Sequence, residues 1–184
     1  MDEEQKIMRA CYEAVLEGRK PSSMFSLKWD VSGEDIGEAR GKGFEVVLTG
    51  AALRENTHQP KDAVVIARPE KFTSLLSERD LQRFRNLGFG ERLDELLGEI
   101  GAKSIAETLA YLNAYPRVDD EYDIAAHNWE RPEVAILTGI ALGYPTCDVE
   151  YYVRIVYLGD MRNPQEGTHS LFGYALCPEC SLPV

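Results

Sequence analysis

The chain has 184 residues, 44% apolar and 28% charged, which is enough for one domain with its own core and too apolar for a disordered polymer. Its 31 acidic residues against 20 basic ones give a formal charge of −11, so most of the surface repels nucleic acid and anionic lipid. The start, Met1-Asp2-Glu3-Glu4, lacks the basic and apolar stretches of a secretory signal, and the longest apolar-leaning run, 134–144, falls short of the ~20 residues that span a bilayer. The expectation is a soluble cytoplasmic protein with no membrane partner, whose four cysteines are reduced thiols or ligands rather than a disulfide framework.

The first predicted element is an amphipathic helix over 2–17, in which Ile7, Ala10, Cys11, Ala14 and Val15 recur at three and four and Gly18 closes the run. Cys11 faces the core there as a small hydrophobe. Three β-leaning runs follow, 24–31, 44–49 and 63–68, separated by turns at 33–43 and 54–61, and they predict a small antiparallel sheet. Gly41-Lys42-Gly43 lacks the Gly-Lys-Ser/Thr of a phosphate loop and reads as a turn.

From Glu70 to Ala114 the pattern is helical. Ser77 with Asp80 and Ser104 with Glu107 have capping-box spacing, placing helix starts near Glu78 and Ile105, while Gly88, Gly90 and Gly101 punctuate the runs. Leu93, Leu96, Leu97 and Ile100 make one apolar stripe and Ile105, Leu109 and Leu112 another. Arg79, Arg83, Arg85 and Arg92 lie among Glu78, Asp80, Glu91 and Asp94, which describes a solvated helix face rather than an anion site.

Pro132 opens a helix that is apolar nearly all round from Val134 to Leu142 and stops at Gly143. Pro145 can start another helix with Cys147 in its first turn. The stretch 149–158 suits either a helix or a strand, and the pairing of Glu150 with Arg154 together with Gly159 beyond the end favours helix.

Chemistry concentrates in the last third. Cys177-Pro-Glu-Cys180 has the spacing that lets two thiolates share one metal, Cys147 supplies a third sulfur, and His169 or Asp148 a fourth donor. Such a set would take zinc. Cys147 at a helix start could instead act as a nucleophile with His127 or His169 as base. His127 otherwise serves as a structural hydrogen-bonding group, His58 lies in a polar loop, and the acidic run Asp119, Asp120, Glu121 and Asp123 lacks the periodicity of a calcium loop.

Residues 131–181 resemble an archaeal family catalogued as a domain of unknown function. The likeness is carried by Gly143-Tyr144-Pro145-Thr146-Cys147, the preceding apolar helix, His169 and Cys177-Pro-Glu-Cys180. The family pattern has a second cysteine where this chain has Asp148, so a thiolate gives way to a carboxylate. The resemblance implies an archaeal cytosol and no particular activity.

The sequence thus predicts one α+β domain over 1–184, mostly helical, with a small antiparallel sheet from the β-leaning part (21–69) against four to six helices, most of them from 70–184. Its leading functional expectation is a structural metal site of Cys147, His169, Cys177 and Cys180. A metal-free protein-interaction or homo-oligomeric assembly module is the alternative, and a cysteine-dependent enzyme the third reading.

Overall fold

A computed structural model describes residues 3–26, 30–49, 63–114 and 131–159. The fold is α+β and mostly helical with one three-stranded antiparallel sheet in its N-terminal part, as the sequence predicts. The chain divides into two compact units.

The first unit contains helix α1 (Glu3–Leu16), strand β1 (Ser22–Ser26), helix α2 (Gly33–Gly41), strands β2 (Glu45–Thr49) and β3 (Ala63–Ala67), a 3-10 turn at Phe72–Leu75 and helix α5 (Ile105–Asn113). Strand order is β1-β3-β2, with both pairings antiparallel. β3 is therefore central, and Val64 to Ala67 are fully buried. A strand covered on both faces needs an uninterrupted apolar run, which is what Ala63-Val64-Val65-Ile66-Ala67 supplies.

Cross-strand rows assign the faces. Phe25 and Leu48 each stand opposite Val64, so the three share a face. The ring of Tyr12 on α1 meets the Phe25 ring edge-on at 6.1 Å, so α1 covers that face. Thr49 points the other way and accepts a hydrogen bond from the Asn113 amide at 3.2 Å, which puts α5 on the opposite face. Leu48, at the outer end of its row, is 60% exposed.

Gly18 ends α1 with φ of 75°, and the Ala14 carbonyl accepts from the amides of both Arg19 and Lys20. The segment read as a Gly-rich turn at 33–43 is largely α2, which makes seven α-helices among the described residues rather than four to six. Three glycines depress its intrinsic propensity. A capping box offsets them: the Ser32 hydroxyl accepts from the Asp35 amide and Asp35 Oδ2 accepts from the Ser32 amide at 2.8 Å. Side chains from α1 add to it. Arg9 donates to Asp35 at 2.7 Å, and the Tyr12 hydroxyl donates to the Asp35 carbonyl at 2.8 Å and to Glu38 at 3.0 Å. Of the run expected as a strand over 24–31, Met24 to Ser26 pair with β3, Asp30 sits in a turn, and Val31 lies in an isolated β-bridge and is buried.

The second unit contains helix α3 (Glu78–Phe84), a π-helical turn at Arg85–Phe89, helix α4 (Gly90–Ile100), helix α6 (Pro132–Ala141) up to Ile140, and helix α7 (Thr146–Leu158). The capping boxes behave differently. Ser104 makes both of its predicted bonds at the start of α5 in the first unit, whereas Ser77 heads α3 without a side-chain capping bond. Gly88, with φ of 96°, permits the π turn between α3 and α4, and Arg85 ties that turn to both Glu78 and Asp94. Leu93, Leu96 and Ile100 are buried along one side of α4, as their spacing predicts.

Candidate functional site

The α6–α7 elbow carries the sequence-predicted chemistry that lies within the described residues. α6 is apolar on all sides because it is buried on nearly all sides: Val134 to Leu137 and Ala141 belong to the core. In the second unit α6 and α7 approach closely at Gly139, where a Cβ would stand 2.7 Å from a Val149 methyl. The Tyr144 amide returns to the Gly139 carbonyl at 3.0 Å. Pro145 then takes φ of −53° and ψ of 137°, the extended geometry of a residue that precedes a helix, so it caps α7 rather than forming its first turn.

Cys147 falls in that first turn, as its spacing from Pro145 predicts, and is half-buried. Its Sγ lies 3.8 Å from Oδ1 of Asp148. Asp148 is only 2% exposed, and its amide donates to the Pro145 carbonyl at 2.9 Å. A thiol and a buried carboxylate thus face one another at the positive end of a helix dipole, where negative charge is stabilised. A second acid, Glu133, is also buried, in the first turn of α6.

The rest of α7 settles the helix-or-strand ambiguity in favour of helix. Val149 and Val153 form its buried stripe, and Glu150 accepts from Arg154 at 2.9 Å, the i, i+4 pair read from the sequence. Glu150 also lies 3.7 Å from Arg83 of α3, so one of the four clustered arginines serves an ion pair between helices. Arg85 of the same cluster is compensated as expected, by Glu78 and Asp94.

His169, Cys177 and Cys180 lie outside the described residues, as do His58, His127 and the 119–123 acidic run. Among the described residues no group of three or more His, Cys, Asp or Glu side chains is arranged to hold a metal ion, and no helix is long and apolar enough to cross a membrane. What the fold fixes of the expected donor set is Cys147 with Asp148 beside it.

Sequence reading missed Lys20. It is 4% exposed and belongs to the same unit as Cys11, itself 3% exposed. Burial pushes the Cys11 thiol up, against the Lys20 charge and a hydrogen bond with Ser23, while the same burial lowers Lys20. Pattern alone could not have found it, since a lysine two residues after a helix-closing glycine is ordinarily solvated. No protein family, curated protein or solved structure matches the chain.

Proposed function

We propose that this protein carries a structural metal site in which Cys147, at the head of α7, is joined by His169, Cys177 and Cys180, with zinc as the bound ion. The observation that supports the reading best is the Cys147 thiol held 3.8 Å from a buried Asp148 carboxylate, two donors on a turn whose geometry is set by Pro145 and by packing at Gly139. Soft sulfur and imidazole donors with an adjacent carboxylate suit zinc, and the Cys-x-x-Cys spacing of 177 and 180 brings two thiolates to one ion. A site of four protein donors leaves no open position for substrate, so the role is to tie the chain together rather than to catalyse. Asp148 stands one residue from Cys147, as an additional oxygen donor or as a hydrogen-bond acceptor that orients it. The kinship with the archaeal family resembled over 131–181 belongs to the same proposal.

A second reading, self-assembly through α7, draws on Tyr152 and Leu158, which are 42% and 47% exposed. Metal analysis separates the two. About one equivalent of zinc per chain is expected after purification without added metal, falling at least tenfold in Cys147→Ser and Cys177→Ser. A metal-free protein that sediments as a dimer, and that Leu158→Glu splits into monomers, would overturn the metal reading in favour of assembly.

A further inference from the structure

Helix α7 carries two apolar stripes. One is Val149 with Val153, both buried, the Val149 methyl set against Gly139 of α6, while Glu150 beside them meets Arg83 of α3. The other starts at the Cys147–Asp148 pair and continues through Tyr151, Tyr152, Ile155 and Leu158, at the steps of three and four that keep residues on one side of a helix. Tyr152 and Leu158 are its open members, 42% and 47% exposed. An apolar stripe left open beside a metal donor is a seat for an apolar partner.

Gly159 ends α7 in left-handed geometry, with φ of 65° and its amide donating to the Arg154 carbonyl, so the chain leaves the helix at the end of this stripe farthest from Cys147. A metal site that joins Cys147 to Cys177 requires the chain to come back. At 1.5 Å per residue about 17 Å of helix separates Cys147 from Leu158, and the chain from Gly159 to Cys177 can reach roughly 60 Å. Directly before Cys177 stands Leu171-Phe172-Gly173-Tyr174-Ala175-Leu176, about 20 Å long when extended, which is close to the length of the stripe. No Asp, Glu, Lys or Arg occurs from Gly167 to Pro178. The stripe beyond Asp148 carries none either, since Arg154 lies round the helix in its pair with Glu150.

We propose that the segment 171–176 docks along the Tyr151 to Leu158 stripe of α7, running back toward Cys147. The inference rests on the metal reading and deepens it: the ion fastens one end of the segment, and apolar contact holds its length. A second copy of the chain is the poorer occupant. Two copies of net charge −11 repel one another, whereas a segment joined to α7 by its own chain meets the stripe at an effective concentration of roughly millimolar order.

Hydrogen exchange of the full-length protein, read by mass spectrometry with zinc content measured on the same sample, tests this. The amides of 171–176 should exchange at least about tenfold more slowly than in a free peptide of that sequence, and equally so after dilution of the protein. Leu158→Asp and Tyr152→Asp, both at exposed positions, should abolish the slowing while the amides of α4 keep theirs, the sign of an intact fold. Leu158→Ala, which only trims the contact, should give a partial loss and decides the matter if the charged variants do not fold. Slowing that survives the α7 variants, or free exchange in a protein that holds its zinc, overturns the docking and leaves the metal reading standing. Free exchange in a zinc-free protein removes both. Slowing that disappears on dilution puts a second copy on the stripe and overturns the proposal.

Discussion

Two corners of this molecule are built on opposite principles. Where α1 meets α2, the contact is made by polar side chains reaching across 23 to 26 residues of sequence: Arg9 to Asp35 and Tyr12 to both Asp35 and Glu38, with the Arg9 guanidinium 4.8 Å above the Tyr12 ring. Where α6 meets α7, the contact is made by the absence of a side chain, with Gly139 letting Val149 come within van der Waals range of the α6 backbone. The first corner should respond to protons and to loss of single hydrogen bonds. The second should respond to added volume.

The largest effect is expected at the packed corner. Gly139→Ala raises helix propensity by about 1 kcal/mol, yet its methyl must displace Val149 in a filled core, and overpacking costs about 1–3 kcal/mol. Net destabilisation of up to about 2 kcal/mol should appear as a lower urea midpoint at constant slope. The double variant Gly139→Ala/Val149→Ala, which makes room, should recover part of the loss made by the first change. A double variant no better than the sum of the two singles would mean that the close approach does not limit packing there.

At the polar corner Tyr12→Phe keeps the ring on Phe25 and removes only the hydroxyl bonds, for an expected loss of about 1 kcal/mol measured the same way. A loss as large as that of Gly139→Ala would erase the distinction between the corners.

The smallest effect is the dependence on pH. Burial works against ionisation of Asp35, but bonds from Ser32 and the Arg9 guanidinium outweigh it and hold the carboxyl below its ordinary value near 3.8. A group depressed in the folded state adds stability that is present above the unfolded value and is lost as pH falls through the folded one. Wild type should therefore lose stability faster than Asp35→Asn as pH is lowered from about 5 toward 2, and the two curves should run parallel above pH 5. Parallel curves throughout would show that Arg9 and Ser32 do not hold this carboxylate.

The same contrast explains what could be read in advance. α4, α5, α6 and β3 were legible because their own residues state their burial: stripes at three and four for Leu93 to Ile100 and Ile105 to Leu112, and unbroken apolar runs for α6 and β3. α7 was legible once the Glu150–Arg154 pair was weighed against its β-branched content. α2 was not. The Ser32–Asp35 box has the spacing that marked the starts of α3 and α5, but three glycines obscured it, and the anchors that hold the helix come from α1. At the candidate site the placing of Cys147 in a first helical turn followed from Pro145. The burial of Asp148 and of Lys20 did not, because nothing local to either residue states what packs over it.

The order of the sheet has a consequence during synthesis. β3 emerges last of the three strands and yet stands between the other two, so β1 must wait for its native partner ~40 residues further on, and β1 and β2 share no ladder in the finished sheet. A nascent chain that has not reached Ala63 lacks the strand with which both of the others pair. The cross-helix bonds of its α1–α2 corner, by contrast, join residues that all lie between Arg9 and Glu38, so both sides of that contact are made before the central strand is.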